Sequence, residues 1–223
     1  MKSNMKKHGM QWIAFMLIIV MGLMLAACGN KEKPNDPEPV ESNVQTEPET
    51  DPVGDVDAES KILVVYFSWS GNLHKMAGWV ADETGGDLVR VTAKDAYPDD
   101  YDETADRAKQ EQDDGIRPEI NVELTTEQLA QYDVVFFGFP VWWYDLPMPM
   151  WTLLENYGFS GKTIIPFFSH EGSSNGANAL PTLTELAGGA TVRTEDALSI
   201  RGGRVADSEG DVRDWVRDLG YGK

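Results

Sequence analysis

The sequence predicts an α/β fold: a three-layer, doubly wound sheet of five parallel strands in the order 2-1-3-4-5. From Lys61 to the end of the chain, apolar β-branched segments alternate with helix-compatible segments. The strongest of these segments are apolar at nearly every position, which is typical of parallel strands covered by helices on both faces. Loops rich in Ser, Gly and aromatic residues follow three of them.

Five strands and five helices are predicted in this part of the chain. The predicted strands are 62–67, 88–91, 133–138, 162–168 and a last strand at either 191–193 or 197–200. The predicted helices are 73–84, 101–114, 147–157, 175–187 and 208–219. In the last helix, Ser208 is the predicted N-cap residue, and Gly220 is predicted to end the helix. Its expected apolar face consists of Val212, Trp215, Val216 and Leu219.

Residues 1–27 have the pattern of a secretory signal. Three lysines precede an apolar run from about Trp12, which ends in Leu25-Ala26-Ala27-Cys28. The apolar run is too short for a spanning helix. Its flanking residues, lysines before it and small residues at its end, are those of a cleaved secretory signal. The ending resembles the lipobox of bacterial lipoproteins. That resemblance implies that Cys28 is the lipidated first residue of an extracytoplasmic protein, anchored by lipid to the bacterial cell membrane.

Residues 28–60 are predicted to be a disordered tether that follows the lipidated cysteine. After Cys28 this segment has five prolines, ten acidic residues, two lysines and no aromatic residue. Such a composition cannot support a packed core, and its net negative charge extends the chain. Residues 61–223 are enough for one domain, which is the part expected to bind a ligand.

The charge of the chain excludes some partners. The whole chain has a net charge of −18. Residues 61–223 have 27 acidic and 14 basic residues, a net charge of −13. A surface of this kind argues against nucleic-acid binding and against electrostatic binding to anionic lipid, so the lipid anchor is the expected membrane contact. A soluble partner should present a basic face.

Three loops at the carboxyl ends of predicted strands form the candidate site, because ligands of doubly wound sheets bind at that edge. The first, 68–73, offers hydroxyls and backbone N–H groups at a helix N-terminus, which suits a phosphate. It contains no Lys or Arg. The second, 139–147, is aromatic, and the third, 169–176, is polar and rich in glycine. We expect the aromatics to cover a flat ring; the alternative is that Trp142 and Trp143 fold inward as core.

The segments YFSWSGNL, GFPVWWYDLPMP and SGKTIIPFFSHEGSSNG resemble the three flavin-binding loops of the flavodoxin-like family. They are most similar to a bacterial subgroup with a Ser-x-Ser-Gly-Asn-Thr first loop and a Pro-Val-Trp-Trp second loop. The resemblance implies an FMN cofactor whose phosphate contacts Ser68, Ser70, Gly71, Asn72 and Leu73. It implies an isoalloxazine ring packed by Pro140, Val141, Trp142, Trp143 and Tyr144. It implies that Ser169, His170, Glu171 and Gly172 line the polar edge of the ring.

Leu73 departs from the family pattern, which usually has Thr at this position. One hydroxyl donor is therefore missing, and the expected loss is about 1 kcal/mol, or about fivefold in FMN affinity.

The roles of two histidines and of one glutamate are open, with two alternatives for each. His74 lies on the surface or approaches the phosphate, and His170 lines the flavin or hydrogen-bonds the backbone. Glu171 accepts from the flavin or faces solvent.

The resemblance favours reversible electron transfer through FMN, in which no residue acts as an acid or base. The redox partner is an unknown protein or small-molecule acceptor. An alternative on the same fold is an FMN-dependent NAD(P)H or quinone oxidoreductase. A third hypothesis is a binding module without flavin, and its support is the substitution at Leu73.

Overall fold

The computed structural model describes residues 60–172, 176 and 178–223. The predicted signal, the lipidated Cys28 and the tether up to residue 59 lie outside the described residues. Also outside the described residues are 173–175, in the third loop, and 177, which follows it. Within the described ranges, no helix is long and apolar enough to cross a membrane.

In the described part of the chain, the fold consists of seven strands and six α-helices. The strands are β1 (Ile62–Phe67), β2 (Asp87–Ala93), β3 (Ile120–Val122), β4 (Val134–Pro140), β5 (Thr163–His170), β6 (Thr191–Val192) and β7 (Leu198–Arg201). The helices are α1 (Asn72–Thr84), α2 (Tyr101–Asp113), α3 (Thr126–Leu129), α4 (Met148–Asn156), α5 (Ala179–Leu186) and α6 (Glu209–Asp218). Short 3₁₀ turns occupy Thr194–Asp196 and Gly202–Asp207.

The sheet confirms the predicted doubly wound order. Its strands run β3-β2-β1-β4-β5-β6, with β7 also paired to β5. The pairs along β2-β1-β4-β5 and on to β6 and β7 are parallel, and they reproduce the order 2-1-3-4-5. The sequence did not predict β3, which pairs antiparallel to β2. Nor did it predict α3, a four-residue helix with a capping box between Thr125 and Gln128.

Both candidates for the last strand are strands, because a turn interrupts the edge next to β5. Thr191 pairs with Thr163 at the start of β5, and Leu198 pairs with Phe167 further along it. The indole N–H of Trp215 donates to the carbonyl of Asp196 at 2.8 Å. This contact fixes the intervening 3₁₀ turn against α6.

The two faces of the sheet carry separate cores, as expected where successive side chains of a strand point to opposite faces. On one face, α1 and α6 bury Val64 and Phe136 completely. On the other face, α4 and α5 bury Val65 and Phe137 completely. Each large apolar side chain that is fully buried contributes about 1.5–3 kcal/mol. The apolar core therefore holds the carboxyl edge of the sheet, and the loops on it, in a fixed frame.

The last helix agrees with its predicted face and stop. Val212 and Val216 are buried, while Trp215 and Leu219 pack against the same core. Gly220, at φ +82°, ends the helix. Ser208 occupies the predicted N-cap position, but its side chain makes no cap hydrogen bond. Its hydroxyl donates to the carbonyl of Arg204 at 2.9 Å, because a 3₁₀ turn precedes the helix and offers that acceptor four residues back.

Candidate functional site

The three loops predicted from the sequence meet at one cavity beyond the carboxyl ends of β1, β4 and β5. Its volume is about 510 Å³, within the range typical of small-molecule sites. Ten of the fourteen predicted site residues line it: Ser70, Asn72, Pro140, Val141, Trp142, Trp143, Tyr144, Ser169, His170 and Glu171. Ser68, Gly71, Leu73 and Gly172 lie in the same loops but do not line the cavity.

Gly71 shapes the first loop. It stands at the N-cap of α1 with φ +91°, and a Cβ there would meet no atom within 4 Å. Glycine is therefore favoured by the backbone conformation and not by lack of space. Since Gly71 has no side chain, α1 has no side-chain cap bond. The first N–H groups of such a helix suit an anion.

Ser68 is almost fully buried, and its Oγ accepts from the N–H of Gly71 at 3.2 Å. The N–H of Gly71 is thus used inside the loop, while the hydroxyl of Ser68 keeps its own proton to donate.

Leu73 is 1% exposed and belongs to the core under α1. Its side chain is therefore part of the core, and only its backbone N–H can serve an anion.

The first loop contains no basic residue, but the neighbouring strand β2 places one beside it. Arg90 on β2 lies opposite Tyr66 on β1, and its Nη2 donates to the carbonyl of Ser68 at 2.9 Å. The Tyr66 hydroxyl shares a hydrogen bond of 2.6 Å with Nδ1 of His74, which is exposed in the first turn of α1. Burial raises the pKa of Tyr66, and the charge of Arg90 partly opposes that rise.

The aromatic residues of the second loop have different environments. Trp142 packs edge-on against Phe67 and Tyr97, with ring centroids 5.4 and 5.0 Å away. The inward interpretation is therefore correct in part for Trp142, which joins the core and still lines the cavity. Trp143 and Tyr144 are 42% and 52% exposed at the rim.

The rim residues form a strained turn. Trp142 and Asp145 exchange two backbone hydrogen bonds of 2.9 Å, and the central residues Trp143 and Tyr144 have φ of +46° and +71°. Positive φ at both central positions is the type I′ pattern, which normally uses Asn and Gly. Each non-glycine residue in this region costs about 1–2 kcal/mol. Such strain is concentrated at functional sites.

Two side-chain contacts hold this turn. The indole N–H of Trp143 donates to the carbonyl of Ala105 on α2 at 2.9 Å. The carboxylate of Asp145 accepts from the hydroxyl of Thr182 on α5 at 3.0 Å. The turn is therefore fixed to helices on both sides of the second loop.

A buried polar network supports Trp142 from behind. The Tyr97 hydroxyl donates to Glu111, which is 5% exposed and also accepts from Nε of Arg107 at 2.9 Å. The Arg107 guanidinium lies 4.3 Å from the centre of the Tyr97 ring. Burial and the Glu111 carboxylate raise the pKa of Tyr97 well above its usual value, so the phenol stays neutral and donates.

Sequence reasoning missed one wall of the cavity, which Trp69 and α2 provide. Trp69 lines the cavity, and its indole N–H donates to the carbonyl of Pro98 at 2.8 Å. The α2 residues of this wall are Tyr101, Thr104, Ala105 and Ala108. Their spacing of i, i+3, i+4 and i+7 is that of one helix face, so the pattern was present within the helix predicted over 101–114.

The third loop joins the second through the backbone. The carbonyl of Ser169 accepts from the N–H of Val141 at 2.8 Å. Nδ1 of His170 accepts from the N–H of Gly172 at 2.9 Å, so the neutral ring carries its proton on Nε2. His170 therefore bonds the backbone, as one interpretation expected, and it also lines the cavity. Glu171 lines the cavity and is also exposed.

The residues fit a flat aromatic ligand that carries an anionic group. Aromatic side chains form two walls, and Ser70 and Asn72 extend the cavity to the uncapped first turn of α1. Among the residues described, no three His, Cys, Asp or Glu side chains are grouped to hold a metal ion.

Comparison with known proteins agrees with this geometry. A family model described as flavodoxin matches residues 61–219. A candidate flavoprotein of Bacteroides uniformis is 31% identical, with a TM-score of 0.60, covering 71% of this chain and 98% of its own. A candidate flavoprotein of Bacteroides eggerthii is 28% identical, with a TM-score of 0.59 and coverage of 72% and 98%.

A further solved structure is a flavoprotein of Lactobacillus acidophilus in complex with FMN. It is 27% identical, with a TM-score of 0.53, and the match covers 66% of this chain and 97% of that one. No curated protein matches the chain.

Proposed function

The chain belongs to the flavodoxin family, and we propose that its cavity binds FMN and that the protein transfers electrons through this cofactor. The observation that carries the proposal is the continuity of one cavity from the aromatic walls to the uncapped N-terminus of α1. The Lactobacillus acidophilus flavoprotein, which was solved in complex with FMN, supports the choice of cofactor.

The phosphate would be held by the first loop. Ser68 and Ser70 offer hydroxyl protons, Asn72 offers its amide, and Leu73 offers a backbone N–H at the positive end of α1. The ring would lie among Trp69, Pro140, Val141, Trp142, Trp143 and Tyr144. The polar edge of the ring would meet Ser169, His170, Glu171 and the backbone at Gly172.

Bound FMN supplies the electron-transfer chemistry, and this chain supplies binding and environment. The T-shaped stack of Phe67, Tyr97 and Trp142 gives the ring a rigid apolar wall. The Nε2 proton of His170 is oriented by the bond that Nδ1 accepts. That N–H can donate a hydrogen bond at the polar edge. Because FMN carries the electrons, no acid–base step by the protein is required.

The proposal extends to the location of the protein. The Leu25-Ala26-Ala27-Cys28 ending and the acidic tether support a lipoprotein held outside the cytoplasm, with the FMN domain on a flexible spacer. Mass spectrometry of the membrane-extracted protein tests this. We expect a chain that begins at a diacylated Cys28; a chain that retains residues 1–27 would contradict it.

A redox experiment tests the electron-transfer role. We expect purified FMN-loaded protein to be reduced by a chemical donor and to pass its electrons to a one-electron acceptor. With NAD(P)H and a quinone, it should show no sustained turnover. Sustained consumption of NAD(P)H by the protein alone would instead assign an FMN-dependent oxidoreductase to the same site.

A further inference from the structure

We propose that Arg90 is the cation of the phosphate site and the residue that positions the first loop. The inference rests on the proposed FMN binding. The six loop residues, Ser68 to Leu73, contain no basic side chain. The charge comes from β2, where register with β1 brings Arg90 to the loop.

The contact of Arg90 is with the backbone of the loop. Its Nη2 donates to the carbonyl of Ser68 at 2.9 Å, across 22 positions of the chain. The Ser68–Trp69 peptide is trans, so this carbonyl and the N–H of Trp69 point in opposite directions. A guanidinium that fixes the carbonyl therefore also fixes the direction of the next N–H in the loop.

The charge of Arg90 is not neutralised by a neighbouring acid. Arg107, Arg213 and Arg217 each have a carboxylate within 4 Å. In the part of the chain that the structure describes, Arg90 has no such ion pair. The charge of Arg90 also opposes the raised pKa of Tyr66, which lies opposite it on β1.

A cation at this place has a clear electrostatic role. Residues 61–223 carry a net charge of −13, which repels a dianionic phosphate. The hydrogen bonds and helix dipole of the first loop act only at close contact. One cation in register with the loop attracts the phosphate at longer range, and Arg90 is not among the residues that line the ring cavity.

The test compares FMN with riboflavin, which has the same ring and ribityl chain but no phosphate. We expect Arg90→Met to weaken FMN binding about tenfold and to change riboflavin binding less than about twofold. Arg90→Lys keeps the charge but loses the planar guanidinium. It should therefore retain part of the wild-type preference for FMN over riboflavin. Salt screens both the attraction by Arg90 and the repulsion by the acidic domain, so high ionic strength should shrink the difference in FMN affinity between the wild type and Arg90→Met.

Lys223→Met is the matched control, because it removes one positive charge at the opposite end of α1. The N–H of Lys223 donates to the carbonyl of Glu83 at 3.0 Å, near the last turn of this helix. Thirteen helical residues separate that end from the loop by about 20 Å. We expect this variant to change the affinities for FMN and riboflavin by less than about twofold.

Other outcomes would overturn the inference. Equal losses for FMN and riboflavin in Arg90→Met would mean that Arg90 is only structural, and no loss would mean that it has no role in binding. If Arg90→Met does not fold, Arg90→Gln, which also removes the charge, decides by the same comparison of FMN with riboflavin. Wild-type protein that binds neither flavin would refute the proposed function, and with it this inference.

Discussion

Trp142 and Asp145 exchange two backbone hydrogen bonds across Trp143 and Tyr144, which places two aromatic residues in the left-handed region at the rim of the cavity. A turn of this type is common with Asn-Gly and rare with bulky side chains. The contacts of Trp143 with Ala105 and of Asp145 with Thr182 offset the strain. The chain therefore keeps an unfavourable backbone in order to present these aromatics.

The first prediction concerns this strain. Tyr144→Gly removes the conflict between a Cβ and φ +71°, whereas Tyr144→Ala keeps it, and both variants lose the ring. We expect the glycine variant to be about 1 kcal/mol more stable than the alanine variant in urea unfolding. Both variants should bind FMN more weakly than the wild type. An alanine variant more stable than the glycine variant would mean that the turn is not strained, because glycine loses more conformational entropy on folding.

The second prediction concerns the support behind Trp142. Tyr97→Phe removes the donor to the buried carboxylate of Glu111 and should cost about 1–3 kcal/mol of unfolding free energy. Tyr132→Phe is the matched control, because its hydroxyl also donates to a carboxylate, that of Asp87 at 2.7 Å. Both variants should be less stable than the wild type. Only Tyr97→Phe should shift the absorption bands of bound FMN, and equal spectra for both would contradict this role.

The third prediction concerns Leu73, the departure from the family pattern. Its side chain is 1% exposed in the core, so Leu73→Thr should cost about 2 kcal/mol of unfolding free energy. Leu73→Ala has a similar loss of packing but no hydroxyl. We expect both variants to bind FMN within about twofold of each other, because this position belongs to the core and not to the cavity. If Leu73→Thr bound FMN clearly more tightly than Leu73→Ala, a threonine hydroxyl at this position would contribute to phosphate binding after all.

The fourth prediction concerns the pH dependence of stability. Hydrogen bonds from Arg217 and Arg213 join α6 to Glu83 on α1 and lower the pKa of that carboxyl. A group with a lowered folded-state pKa stabilises the protein above its unfolded pKa and loses that effect as pH falls through the folded value. Glu83→Gln should therefore be less stable than the wild type at neutral pH.

Measuring urea unfolding from pH 7 into the acid range checks this fourth prediction. The difference between wild type and Glu83→Gln should shrink as pH falls below the ordinary pKa of a glutamate, about 4.3. Asp218→Asn, at the end of the same helix, is a control that removes one charge. A difference between Glu83→Gln and wild type that stays constant with pH would rule out the ion pairs as its cause.

The sequence predicted the central strands well, since β1, β4 and β5 are buried on both faces and must be apolar at nearly every position. It did not predict β3, because a three-residue edge strand with two half-buried residues and one exposed residue carries little pattern. The division of the last strand is decided by tertiary contacts, among them the bond from Trp215 to Asp196.

For the site, the three loops were predictable because they follow strong strands. The roles of Arg90 and of α2 were not. Arg90 reaches Ser68 only through the register of β2 with β1, and Ala105 meets Trp143 only when α2 packs beside the second loop. Contacts between segments distant in the chain leave no local pattern, so they required the structure.

A titration of flavin-stripped, purified protein with FMN tests the central claim most directly. We predict saturation at about one FMN per chain, quenching of flavin fluorescence by the aromatic walls, and a yellow protein after gel filtration. Protein that stays colourless and fails to bind added FMN would contradict the account and favour a flavin-free binding module on the same fold.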